Sequence, residues 1–311
     1  MTAVDDARFM ERMNDALAGA FGAASLSPVD EPLCTGHIVG LPRSGTTITS
    51  QLLAASGAVG YPSNVMAPFW RVPVVGAWLQ ARLSGGAAHT SLASDYGRTY
   101  GPLEPHEFGY FWRDALGHSA HTVEPDREPM PPEDLQRTLD TLTAIFGKPT
   151  VHKNFYAARH IQLLRDVLLR QRFLVVDRDP LDVAASILVG RRTRGLRPGE
   201  WLGPRPVLAL EAMSEAQLIA AQVFEIMQWL PQAVSGGASL LIPYRKLCAE
   251  PRVLTATMLE ILEAVPEDGW QERIPERLEP SPGAAMLTSA ERDELRSALV
   301  ERHVVLEGLS A

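Results

Sequence analysis

Cysteine is scarce in this 311-residue sequence: Cys34 and Cys248 are the only two, with no C-x-x-C spacing, so neither a disulfide framework nor a zinc site is signalled. Two readings remain for the pair, a single bridge or two buried reduced thiols of the kind expected in the cytoplasm. No run approaches the ~20 apolar residues of a membrane span. The first residues, Met1 to Asp6, lack the basic and apolar regions of a signal peptide, and the expectation is a cytoplasmic protein with no membrane contact. Positive charge is also in deficit: 29 Lys and Arg against 37 Asp and Glu leave a net charge of −8 and a pI near 5.5. That balance argues against nucleic acid or an anionic membrane surface as partner. Any anion site must therefore be a local basic pocket. His89, His106, His118 and His121 are too widely spaced for a metal cluster, and no internal repeat is present.

What the sequence does contain is the composition of a globular protein, 46% hydrophobic and 21% charged, compatible with one α/β domain over residues 1–311. Its organising stretch is His37-Ile38-Val39-Gly40-Leu41-Pro42-Arg43-Ser44-Gly45-Thr46-Thr47, followed by the apolar helical run from Ile48 to Ala55. A short strand running into a G-x-x-x-x-G turn and then a helix points several backbone N–H groups, and the positive end of the helix dipole, at one anion. This is a phosphate-binding loop. The nucleoside-triphosphate version places a lysine after the second glycine. Here Thr46 takes that place and Arg43 is the only positive charge, so the loop is poorly equipped for an ATP γ-phosphate and its metal.

Other segments fit around the loop. Phe173 to Val176 reads as a buried strand ending at Asp177-Arg178-Asp179-Pro180. Thr150 to Asn154 reads as a short strand and its end, and Leu240 to Pro243 as a strand running into Tyr244. The fold expected is a P-loop-type parallel sheet flanked by helices. A helical segment occupies residues 1–30, where Phe9, Met10, Met13, Leu17 and Phe21 recur at helical spacing. Residues 64–148, rich in aromatics and without a strong strand signal, form an insertion. Within it, Glu104-Pro105-His106-Glu107 reads as a helix start, with Phe108, Phe111, Trp112, Ala115 and Leu116 as its apolar face. Leu135, Leu139, Leu142 and Phe146 mark a further helix. Residues 211–230 read as a long amphipathic helix, and Thr288-Ser289-Ala290-Glu291 as a capping box opening a last helix over 288–306. The basic run Arg191 to Pro198 either closes over bound phosphates or forms a solvated loop.

Pro42-Arg43-Ser44-Gly45-Thr46-Thr47 resembles the 5′-phosphosulfate loop of sulfotransferases that use 3′-phosphoadenosine 5′-phosphosulfate (PAPS). Arg178 and Ser186 keep the interval of that family's 3′-phosphate segment, and an arginine fork suits phosphate oxygens. The resemblance implies PAPS binding by Arg43, Ser44, Gly45, Thr46, Thr47, Arg178 and Ser186, with Tyr244 on the adenine side. It implies that Lys153 and Arg43 neutralise the leaving phosphate and that no metal is needed. Several branches carry a general-base glutamate where this chain has Ser63 and Asn64, so the base is sought elsewhere: Glu107 first, then His106, then His152. The insertion 64–148 would supply acceptor-binding walls or a lid. The acceptor would be a hydroxyl or amine of a small molecule, such as a secondary metabolite. The oligomeric state is not indicated. Two other readings compete, a P-loop kinase using Mg-ATP and a non-catalytic nucleotide-binding protein that kept the loop and lost the base.

Overall fold

A computed structural model describes residues 3–21, 29, 31–85, 90–119, 125–197, 200–206, 213–235 and 238–304. Its centre is a four-stranded sheet made of β1 (Thr35–Gly40), β2 (Thr150–Lys153), β3 (Gln171–Asp177) and β4 (Ser239–Pro243), in the order β2-β1-β3-β4. All three pairings are parallel; Ile38 lies opposite Lys153 on one side and Leu174 on the other. Parallel strands need both faces covered, and the burial shows it: Phe173 and Val175 join one apolar core, Leu174 and Val176 the other. The alternation is the two-residue period of a strand read onto two helical layers. Truncating Phe173, fully buried in the central strand, to alanine would cost about 3–5 kcal/mol.

The first layer holds α4 (Gly109–Ala115), α5 (Pro132–Phe146), α6 (Phe155–Arg159), α7 (Ile161–Val167), α8 (Pro180–Thr193), α9 (Glu215–Met227), α10 (Leu230–Val234) and α13 (Ser289–Glu301). The second holds α2 (Thr46–Ser56) and α12 (Pro251–Ile261), with α11 (Tyr244–Ala249) between β4 and α12. At the periphery, α1 (Ala3–Phe21) is tied down by Asn14, which donates to the Pro68 carbonyl at 2.8 Å and accepts from the Arg71 amide at 3.0 Å. α3 (Pro73–Ser84) packs against α5. Thr288 and Ser214 cap α13 and α9 with both arms of a capping box. Residues 211–212 and 305–306, the outer parts of the two predicted helices, lie outside the described residues.

One expectation changes, the strand read as ending at Pro243 holds, and one of the two cysteine readings is selected. The helix predicted to open at Glu104 begins at Gly109, because residues 104–107 are engaged elsewhere. Pro105 bridges to Ser63, and the His106 amide donates to the Pro62 carbonyl at 2.8 Å. The buried Glu104 carboxylate accepts from Thr90 Oγ1 and Gln51 Nε2 instead of starting a helix. Pro243, awkward for a central strand, ends the edge strand β4, where a missing N–H costs least. Cys34 and Cys248 are both free, buried thiols, so the reading with a bridge falls.

Candidate active site

Because the strands are parallel, their carboxyl ends emerge along one edge of the sheet, and each delivers one of the singled-out residues. Gly40 ends β1 and leads into the loop, Lys153 ends β2, Arg178 follows β3, and Tyr244 follows β4. Open α/β sheets bind ligands at this edge, where the strand order reverses. A cleft of about 710 Å³ lies there, lined by Arg43, Gly45, Thr46, Thr47, Lys153 and Arg178 among others.

The loop is held in shape by sterics that only glycine satisfies. A methyl group at Gly45, which has φ 111° and caps α2, would stand 2.6 Å from the Tyr244 ring. One at Gly40 would meet Ser44 Oγ and the Val176 carbonyl, each at 2.7 Å. Ser44 itself is fully buried beneath the loop, its hydroxyl unpartnered. Of the loop residues expected to bind, Ser44 thus stands apart: its amide donates to the Leu41 carbonyl at 3.1 Å, and the residue does not line the cleft.

Cations gather without anions to match. Arg43 donates from Nε to Ser186 Oγ at 3.2 Å. Arg178 donates to the carbonyls of Arg43 at 2.9 Å and Ser281 at 3.2 Å, lies 4.5 Å above the Tyr244 ring, and keeps an unpartnered buried Nε. Tyr244 is fixed in turn by the Ser281 amide, which donates to its hydroxyl at 3.0 Å. Among the described residues no carboxylate pairs with Arg43 or Arg178. Burial, and then the neighbouring Arg178, push the Arg43 guanidinium below its usual range. Such a cluster favours an incoming anion over the empty state.

Lys153 Nζ donates to Thr47 Oγ1 at 2.9 Å and to Glu107 Oε1 at 2.5 Å. The lysine side chain is nearly buried, while the carboxylate is half open to the cleft. Beside them, His106 Nδ1 accepts the Phe108 amide at 2.9 Å, which leaves the proton of the neutral ring on Nε2. Burial foremost lowers the His106 pKa, so the neutral ring is favoured. His106 is thereby a hydrogen-bond donor to the cleft, and Glu107 is the carboxylate available as base.

His152, the third base candidate, is not in the cleft. Strand alternation turns it to the opposite face from Lys153, where it packs on Trp112 and beside His37. Burial drives its pKa to about 3. His118 meets His160 at 2.9 Å, away from the cleft; His89 and His121 lie outside the described residues. Asn64, which with Ser63 stands where the resemblance expects a glutamate, pins a loop by donating to the Thr99 and Gly101 carbonyls at 3.2 and 2.7 Å. The basic run also divides. Arg191 is buried on Glu215, Arg192 pairs with Glu291, and only Arg194 among the run's described residues lines the cleft.

Sequence reasoning missed the turn Asp95-Tyr96-Gly97-Arg98, closed by paired Asp95–Arg98 backbone bonds of 2.8 and 2.9 Å. Tyr96 and Gly97 have φ of 46° and 88°, as a tight hairpin turn demands. The Tyr96 ring lies under two guanidiniums, Arg43 at 4.9 Å and Arg194 at 5.1 Å. The backbone of Gly97 covers Thr47, Lys153 and Glu107: a methyl there would stand 3.6 Å from Thr47 Oγ1 and 3.9 Å from both Lys153 Nζ and Glu107 Oε1. The Tyr-Gly pair was the one local signal of this turn.

Residues 37–268 match the family model described as the sulfotransferase family. No protein of curated function matches the sequence. Among solved structures, sulfotransferase STF9 from Mycobacterium avium is 15% identical with a TM-score of 0.57, over 93% of this chain and 80% of that one. Sulfotransferase STF1 from Mycobacterium tuberculosis H37Rv is 12% identical with a TM-score of 0.55, over 93% and 81%. At these identities the likeness is one of fold.

Proposed function

As this chain belongs to the sulfotransferase family, we propose that it moves a sulfuryl group from PAPS to a hydroxyl or amine of a small-molecule acceptor. The observation that carries the reading is the convergence of the loop, Lys153, Arg178 and Tyr244 at the carboxyl ends of four parallel strands. The residues fit the donor. Unmatched Arg43 and Arg178, and the unpartnered Nε of Arg178, suit a ligand carrying several phosphate charges. Backbone N–H groups of residues 43–48, with Thr46 and Thr47, would hold the 5′ end; Arg178 and Ser186 would hold the 3′-phosphate; Tyr244 would flank the adenine.

When bound, the donor supplies a sulfuryl group carried on a phosphate leaving group. The chain's own task is to place charge and protons. Glu107 takes the acceptor's proton at its carboxylate. Lys153 Nζ and the Arg43 guanidinium face the charge that develops on the leaving oxygen. His106 Nε2–H orients the acceptor oxygen. Described residues between Asn64 and Arg113 would supply walls around these groups, with the turn at Gly97 limiting access of water.

The kinase reading is disfavoured by a specific contact. In nucleoside triphosphatases the loop hydroxyl binds magnesium, whereas here the hydroxyl of Thr47 carries the Lys153 ammonium at 2.9 Å. The test is calorimetric titration with 3′,5′-ADP and with ATP, each with and without Mg²⁺. Tight, metal-independent binding of 3′,5′-ADP with little for ATP is expected. Preference for Mg-ATP would overturn the proposal.

A further inference from the structure

Resting on the sulfuryl-transfer reading, the cleft also carries information about the acceptor. Its wall from residues 98–113 exposes two aromatic rings, Tyr100 at 67% and Tyr110 at 52%. Tyr110 is not a loose surface ring: it packs on the buried Trp70 at 5.2 Å and lies 4.8 Å from the Arg113 guanidinium. Such a braced ring offers a flat apolar face at little entropic cost. Arg113 spends its charge on Asp114, at 3.0 and 3.2 Å. Arg98 does not. An exposed residue of the cleft lining, it has no side-chain partner among the described residues, in a chain of net charge −8.

The backbone presenting Arg98 is nonetheless fixed. The Asp95–Arg98 bridge closes it on one side, and Thr99 donates from Oγ1 to the Pro105 carbonyl at 2.7 Å on the other. Asn64 clamps the following residues. An unmatched cation carried on a fixed backbone beside aromatic faces suits a ligand that is flat and negatively charged. Glu107 lines the same cleft, and its carboxylate would repel an anion and accept a hydroxyl.

We propose that the acceptor is a flat, aromatic alcohol bearing a carboxylate or similar anionic group, and that Arg98 recognises that group. The experiment compares kcat/KM for para-hydroxyphenylacetate and para-cresol at saturating PAPS, in the wild type, Arg98→Ala and Arg98→Glu. The wild type is expected to prefer the acid by about tenfold, the effect of one charge-assisted contact. The ratio should fall to near one in Arg98→Ala and below one in Arg98→Glu. Retained 3′,5′-ADP binding in both variants is expected and shows that fold and donor site are intact. A wild-type ratio near one, or a preference that survives Arg98→Glu, overturns the assignment. So does an equal loss of 3′,5′-ADP affinity, which would make Arg98 a donor residue. Turnover of neither phenol by a protein that binds 3′,5′-ADP overturns the aromatic acceptor. Failure of the wild type to bind 3′,5′-ADP at all would instead sink the donor reading beneath it.

Discussion

The Lys153 ammonium stands 2.5 Å from the Glu107 carboxylate, on a strand end and a loop that are 46 residues apart in sequence. The pair places a cation and a base side by side, each with a separate task under the proposed chemistry. Glu107→Gln keeps the shape and removes the base, so kcat should fall by about 10²–10⁴ with 3′,5′-ADP binding nearly intact. Lys153→Ala should lower kcat by about 10²–10³. Single-turnover rates together with titration of 3′,5′-ADP separate the two effects, and unchanged turnover in Glu107→Gln would move the base elsewhere.

Arg178 reaches into the cleft from the end of β3 while its Nη atoms hold the carbonyls of Arg43 and Ser281. If it grips the 3′-phosphate, Arg178→Ala should weaken 3′,5′-ADP by about 10–100-fold and 5′-AMP far less. Equal losses for both nucleotides would mean that the residue serves only to brace the loop.

Gly45 answers to two constraints at once, a φ of 111° and the Tyr244 ring at 2.6 Å from any added methyl. Gly45→Ala should cost about 1–3 kcal/mol of stability and abolish tight 3′,5′-ADP binding, as read by thermal unfolding and calorimetry. Adding Tyr244→Ala should recover part of the stability, since it removes the clash but not the backbone strain.

Two histidines are held neutral in the core. Burial lowers His37 to about 4 and His152 to about 3 from the usual 6.5. Below pH 6.5 the unfolded chain binds protons that the folded chain refuses, so stability rises with pH in this window. It is fully present above pH 6.5 and is lost as pH falls toward about 4 and then about 3, at up to about 1.4 kcal/mol per pH unit for each residue. Urea titrations at pH 7 and pH 5 should show the loss, and His152→Phe should reduce it. Equal stability at the two pH values would contradict the sign.

What the sequence disclosed was local. The loop from Gly40 to Thr47, the strand leading to Arg178 and the lysine ending β2 are each contained in a short stretch whose spacing and residue types dictate the geometry. The features it hid depend on contacts between distant segments. Pro105 and Glu107 satisfied every rule for a helix start, yet the pairing of Pro105 with Ser63 and the burial of Glu104 outweighed local preference. His152 and Lys153 are adjacent in sequence, and only the pairing of β2 with β1 decides which of them faces the cleft. The basic run from Arg191 looked uniform, but Glu215 and Glu291 draw off two of its arginines. The turn at Tyr96 carries almost no periodic signal, and its place follows from Arg43 and Arg194.

That turn makes the protein its own competitor. The ring of Tyr96 lies against Arg43 and Arg194, so an anion that draws Arg43 off the ring must replace a cation–π contact of about 0.5–1 kcal/mol. Weak anions gain too little from one arginine to do so, whereas a ligand that also engages Arg178 and the loop amides gains several contacts for the one it displaces. For an anion that displaces Arg43 from the ring, a contact of that size lowers affinity by about two- to fivefold.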